Sequence, residues 1–107
     1  MSEMDLSKLA EQAMKMQQEL QRLQEETAGE TVTATAGGGT VKVTATAGGE
    51  IVKIEIDPKA IDPDDPELLA DVVTAAVNQA LRDGRALMES KLGSVLPQGL
   101  GGHLPGL

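Results

Sequence analysis

Lys8, Lys15 and Arg22 stand seven residues apart, and Arg82, Arg85 and Lys91 follow in one short stretch towards the other end of the chain. Cations repeated at helical spacing can lie along a phosphate backbone and neutralise successive charges on it. The 107 residues hold nine Lys and Arg against seventeen Asp and Glu, a net charge of −8. Such acidity opposes binding to a polyanion, so the placement of the nine cations matters more than their number. The absence of Phe, Tyr and Trp also removes the stacking platforms that most single-strand binders use.

No other group of residues makes a convincing chemical site. Asp62, Asp64, Asp65 and Glu67 crowd together, but they lack the spacing and the mid-loop glycine of a calcium loop. Capping and solvation of a helix start explain them. His103 is the one histidine, set among Gly and Pro with no fixed partner. The glycine runs Gly37-Gly38-Gly39 and Gly48-Gly49 fall between strands rather than between a strand and a helix, so they make no phosphate loop. With no cysteine, thiol catalysis, disulfides and thiolate metal sites are excluded. Nucleophile, base and orienting group do not assemble. The expectation is a non-enzyme with no metal and no cofactor.

The elements that carry the cations are legible in the hydrophobic pattern. Leu6, Leu9, Ala13, Met16, Leu20 and Leu23 alternate at spacings of three and four, which predicts a helix over residues 5–27. Asp5 is the expected N-cap, with Ser2 as the alternative. An a/d seam this narrow points to packing or dimerisation against another helix, from the same chain or a second copy. Lys8, Lys15 and Arg22 then share position c of the heptad.

Residues 31–56 alternate with period two in three segments, 31–36, 41–46 and 52–56, separated by the glycine runs. This is the pattern of a half-buried antiparallel meander with hairpin turns. The repeated heptapeptide at 32–38 and 43–49 reads as two similar strand-plus-turn units. Asp57-Pro58 ends the third strand. Asp65-Pro66-Glu67 opens a second helix with an N-cap, a proline at the first position and an acid in the first turn. Apolar residues from Leu69 to Met88 carry that helix to about residue 92, with Gly93 as its expected stop. Residues 96–107 are rich in Gly and Pro and read as a flexible tail. The chain is therefore expected to be one α+β domain over residues 1–95: long helix, three-stranded antiparallel meander, long helix.

Two helices of this length outreach a short sheet. Their far ends should project as an arm, with the start of the first helix beside the end of the second. Residues 1–16 and 82–92 hold five basic and five acidic residues. The arm is locally neutral and all the net negative charge lies at its base. A core without aromatics is thin for a chain this short, which predicts a homodimer. No apolar run approaches the roughly 20 residues of a membrane span. The acidic N-terminus lacks the form of a signal peptide, so the expected location is cytoplasmic.

Gly39-Thr40-Val41-Lys42-Val43, Gly49, Val52-Lys53-Ile54-Glu55-Ile56-Asp57-Pro58 and the run from Leu68 to Ala80 together resemble the YbaB/EbfC family of bacterial nucleoid-associated proteins. Met14-Lys15-Met16-Gln17-Gln18 and Leu96-Pro97 fit the same likeness, which covers essentially the whole chain. The resemblance implies a tweezer-like homodimer with projecting helical arms. It also implies binding of double-stranded DNA with little or modest sequence preference, and a place in the nucleoid. The expected DNA-binding residues are Lys8, Lys15, Arg22, Arg82, Arg85 and Lys91. The competing reading is an acidic protein-interaction module, holding a protein partner through the arms or through Leu100 and Leu104, that does not bind DNA directly.

Overall fold

The structure is a computed structural model that describes residues 3–95, with side chains from Asp5 onward. The order is α1 (Glu3–Ala28), β1 (Thr31–Ala36), β2 (Val41–Thr46), β3 (Ile51–Ile56), a short 3₁₀ turn at Pro58–Ala60, and α2 (Pro66–Gly93). The tail at 96–107, His103 included, lies outside the described residues, as does Ser2. The molecule is elongated, 75 × 25 × 16 Å.

The three strands pair in sequence order, all antiparallel. Val32 faces Ala45 and Ala34 faces Val43 across β1–β2, while Val41 faces Ile56 and Val43 faces Ile54 across β2–β3. This register puts the apolar set on one face. Gly37, Gly38 and Gly39 have φ of 63°, 68° and 90°, three consecutive left-handed positions that only glycine adopts cheaply. α2 lies across β1 and β2 and buries Ala34, Val41, Val43 and Ala45 beneath Ala76 and Ala80. Asp65 caps α2 as expected, its carboxylate accepting from the Leu68 N–H at 3.2 Å, with Pro66 at the first position.

α2 approaches the sheet closely because the residues that meet it are small. Its buried residues are Ala76, Ala80 and Gly84, four apart. A Cβ placed on Gly84 would stand 2.7 Å from the Thr46 carbonyl oxygen. The same end of the sheet anchors α1. The Ala47 N–H donates to the Glu30 carbonyl at 2.8 Å and the Gly48 N–H to that of Ala28 at 3.2 Å.

In the bounds and burial of its elements the structure departs from the sequence reading at four places. α1 already includes Glu3, so Asp5 sits inside the helix rather than capping it. Its carboxylate still lies in the first turn, where the helix dipole favours a negative charge. Gly93 is the last residue of α2, not a left-handed stop. Ser94 closes the helix in an ordinary right-handed conformation, with its hydroxyl donating to the Lys91 carbonyl at 2.6 Å. β3 begins at Ile51, and Ile51 rather than Val52 faces Ala45, with the extra residue taken up as a bulge. Finally, β3 is not half-buried. Every one of its residues is exposed in the single chain, because α2 covers only the first two strands.

Candidate nucleic-acid interface

At 1.5 Å per residue, the 26 residues of α1 make a rod of ~39 Å and the 28 of α2 one of ~42 Å. α2 spends its first two-thirds on the sheet. Gly84 is level with Thr46 at the sheet's end, so only nine residues, ~14 Å, run past it. α1 leaves from Ala28 at the same end and points the same way. Its side chains at Leu20, Leu23, Thr27 and Ala28 are partly or fully buried, whereas all from Asp5 to Glu19 are exposed. α1 thus rests on α2 through its C-terminal third, and the remainder stands alone among the described residues. The expected juxtaposition, the start of α1 beside the end of α2, does not occur, because α2 is too short past the sheet to reach it.

This geometry divides the six candidate cations. Lys8 and Lys15 are exposed on the lone segment of α1, ~10.5 Å apart along its axis. Arg82, Arg85 and Lys91 are exposed on α2 at the base of the arm. Among the described residues Arg82 takes no carboxylate partner. Its Nη2 donates to the Gln79 amide oxygen at 2.9 Å, and the Gln79 Nε2 in turn donates to Asp83 at 2.8 Å. Arg85 borders a shallow depression with Leu81, Met88 and the Gly48-Gly49 turn. Lys91 lies in the last turn of α2, where a cation also favours the helix dipole.

Arg22 differs from the other five. Its guanidinium is clamped by Glu19 and, at 2.7 Å, by Glu26. The hydrogen bond to Glu19, then that to Glu26, raises its pKa above the ordinary value. Two carboxylates around one guanidinium leave a local charge of −1, a poor neighbour for a phosphate. The signal was present in the sequence, since Glu19 and Glu26 lie at i−3 and i+4 from Arg22, the spacings at which helical side chains meet.

The predicted seam is also divided. Leu20 and Leu23 are half-buried, whereas Leu6 and Leu9 are 58% and 52% exposed and Met16 36%; Ala13 is exposed as well. A second apolar surface, which the strand pattern did not reveal, runs over β3 and the start of α2. It comprises Ile51, Ile54, Ile56, Ile61 and Leu68, all at least 38% exposed. Among the described residues no cluster of His, Asp or Glu is placed to hold a metal, and no helix is long and apolar enough to cross a membrane.

A sequence model of the YbaB/EbfC DNA-binding family matches residues 1–100. A nucleoid-associated protein of Streptomyces avermitilis is 52% identical over 104 residues, covering 96% of this chain and 91% of that one. One from Pelotomaculum thermopropionicum is 49% identical over 89 residues, covering 83% and 85%. Among solved structures, an uncharacterised protein of Helicobacter pylori superposes with a TM-score of 0.68 at 24% identity, covering 91% of this chain and 99% of its own. That likeness supports the α+β fold.

Proposed function

We propose a function from this premise: the chain belongs to the YbaB/EbfC DNA-binding family. It acts as a nucleoid-associated protein in the cytoplasm, binding double-stranded DNA as a homodimer whose helical arms straddle the duplex. The protein does no chemistry on the DNA and has little or modest sequence preference. The observation that carries the arm assignment is the pair Lys8 and Lys15, exposed on the segment of α1 that nothing else in the described chain accompanies. The segment also carries Asp5, Glu11 and Glu19 beside its two lysines, so it is not cationic overall, but most of the chain's carboxylates lie off it. Arg82, Arg85 and Lys91 add a second group of cations where the arm meets the body. Arg22 contributes least, because Glu19 and Glu26 already neutralise it.

The homodimer is supported by the bare face of β3. Ile51, Ile54 and Ile56 continue the apolar side of the sheet past the edge of α2. A second copy applied there would extend the core across both chains. Exposed apolar clusters of this kind mark protein contacts.

A gel-shift titration of a duplex at several salt concentrations tests the reading. Phosphate-dominated binding gives a log–log slope of about −0.9 per neutralised phosphate. Charge reversal at Lys8, Lys15, Arg82 and Arg85 together abolishes the shift and leaves the dimer mass unchanged. Retention of binding by that variant refutes the assignment. Failure of the native protein to shift any duplex at low salt favours the acidic interaction module instead.

A further inference from the structure

Leu6, Leu9, Ala13 and Met16 form two heptads of apolar seam, open to solvent along the distal half of α1. A helix of this length, without packing, is marginal in water. We infer that this seam is an interface between copies of the chain: the distal α1 of one molecule pairs antiparallel with the distal α1 of another, tip past tip.

Three features of the segment suit a second copy as the occupant and single out that orientation. The first is size matching. An axis level with the middle of the segment sets Leu6 against Met16 and Leu9 against Ala13, and the same pairs recur on the other side of the axis. Each layer then joins a large side chain to a smaller or more pliable one, which is how helix seams interdigitate without voids. Parallel pairing would stack Ala13 on Ala13 between layers of Leu9 and Met16, leaving a gap in the middle of a short interface. Parallel pairing also brings the two sheet bodies to the same end, whereas antiparallel pairing holds them apart.

The second feature is the residues beside the seam. Across the antiparallel axis Ala10 meets Ala10 and Gln12 meets Gln12, so no like charges oppose each other at the centre. At each end the Asp5 of one copy falls near Glu19 of the other, and that carboxylate is the one held by Arg22. The ion pair thus sits where it reduces a repulsion.

The third is direction. At ~100° per residue, the Lys8–Lys15 stripe lies ~130° around the helix from the midline of the seam. Pairing through the seam therefore leaves the lysines accessible. An arm bound to phosphate and an arm bound to another arm need not compete. Two heptads bury little surface, so the association is weak and concentration-dependent, and it strengthens when copies are gathered on one scaffold.

The test uses the full chain without DNA, so its failure leaves the phosphate-binding reading intact. The sequence has no cysteine, which allows single cysteines to report on contacts. Ala13→Glu fixes the mass of the basic unit, because it places a charge in the seam far from the sheet. Sedimentation of the native chain should show mass rising above that unit with concentration, a rise that Ala13→Glu loses. Under mild oxidation Ala10→Cys should cross-link several times more than Ala13→Cys, and the linked species should have at least twice the unit mass in native conditions. A preference for Ala13→Cys overturns the orientation. A link confined to one unit, a concentration-independent native mass, or association that begins only after deletion of residues 96–107 overturns the proposal; the last assigns the seam to the chain's own tail.

Discussion

Gly84→Ala separates helix propensity from packing at the joint between α2 and the sheet. An added methyl would lie 2.7 Å from the Thr46 carbonyl oxygen and 3.4 Å from the Ala47 Cα. Both neighbours are backbone, so neither can rotate away. The Thr46 carbonyl accepts from the Gly49 N–H at 3.0 Å, and the Thr46 N–H donates to the Glu50 carbonyl at 2.8 Å. Moving the acceptor therefore loosens the β2–β3 turn. Overpacking of this kind costs about 1–3 kcal/mol, set against a gain of at most ~1 kcal/mol for replacing a helical glycine by alanine. Gly93→Ala supplies the control, since it is also helical and meets nothing within 4 Å. The propensity gain is shared in sign, so Gly84→Ala should be less stable than Gly93→Ala by ~1–3 kcal/mol. For a domain of this size that is a gap of about 4–8 °C in Tm per kcal/mol. Urea melts followed by far-UV circular dichroism, at one protein concentration, measure it. Equal or greater stability of Gly84→Ala refutes the close-approach reasoning.

Other outcomes follow from the same geometry. Lys15→Gln should flatten the salt dependence of duplex binding by about two units in the log–log slope, one phosphate per arm; Arg22→Gln should leave it nearly unchanged, because the guanidinium is already neutralised. Ile54→Lys should halve the native mass without loss of circular dichroism signal, since Ile54 is 43% exposed in the single chain; an unchanged mass removes β3 from the dimer interface. Asp65→Ala should lower stability by about 1 kcal/mol in a denaturant melt, through loss of the acceptor for the Leu68 N–H. No change there means the Pro66 start suffices alone.

Local rules made most of this fold readable. Period two, glycine runs and an Asp-Pro-Glu start are properties of a few neighbouring residues, and the strands, turns and α2 cap came out where those signals lie. What failed depended on reach. The alternation of Val52, Lys53, Ile54, Glu55 and Ile56 says that β3 has an apolar side, but not whether α2 is wide enough to cover it. The position of α1 against α2 depended on how much of α2 lies on the sheet, which the close approach at Gly84 determines. At Asp5 and Gly93 the signals were real but weak: favourable in the first turn and tolerated in the last, neither residue must mark a boundary. For the candidate interface, spacing located the cations on the helices, while the neutralisation of Arg22 required attention to its anionic neighbours as well.

The line Ala76, Ala80, Gly84 acts as a spacer gauge. The small volume of those three residues sets the height of α2 above the sheet, and α1 rests on α2. The bearing of the lone helix is therefore set by atoms missing near its root, together with the Ala28 and Glu30 carbonyls that tie it to the sheet, far from Lys8 near its tip. One methyl added or removed along that line would swing the rod as a pointer swings about its pivot, with displacement growing along its length.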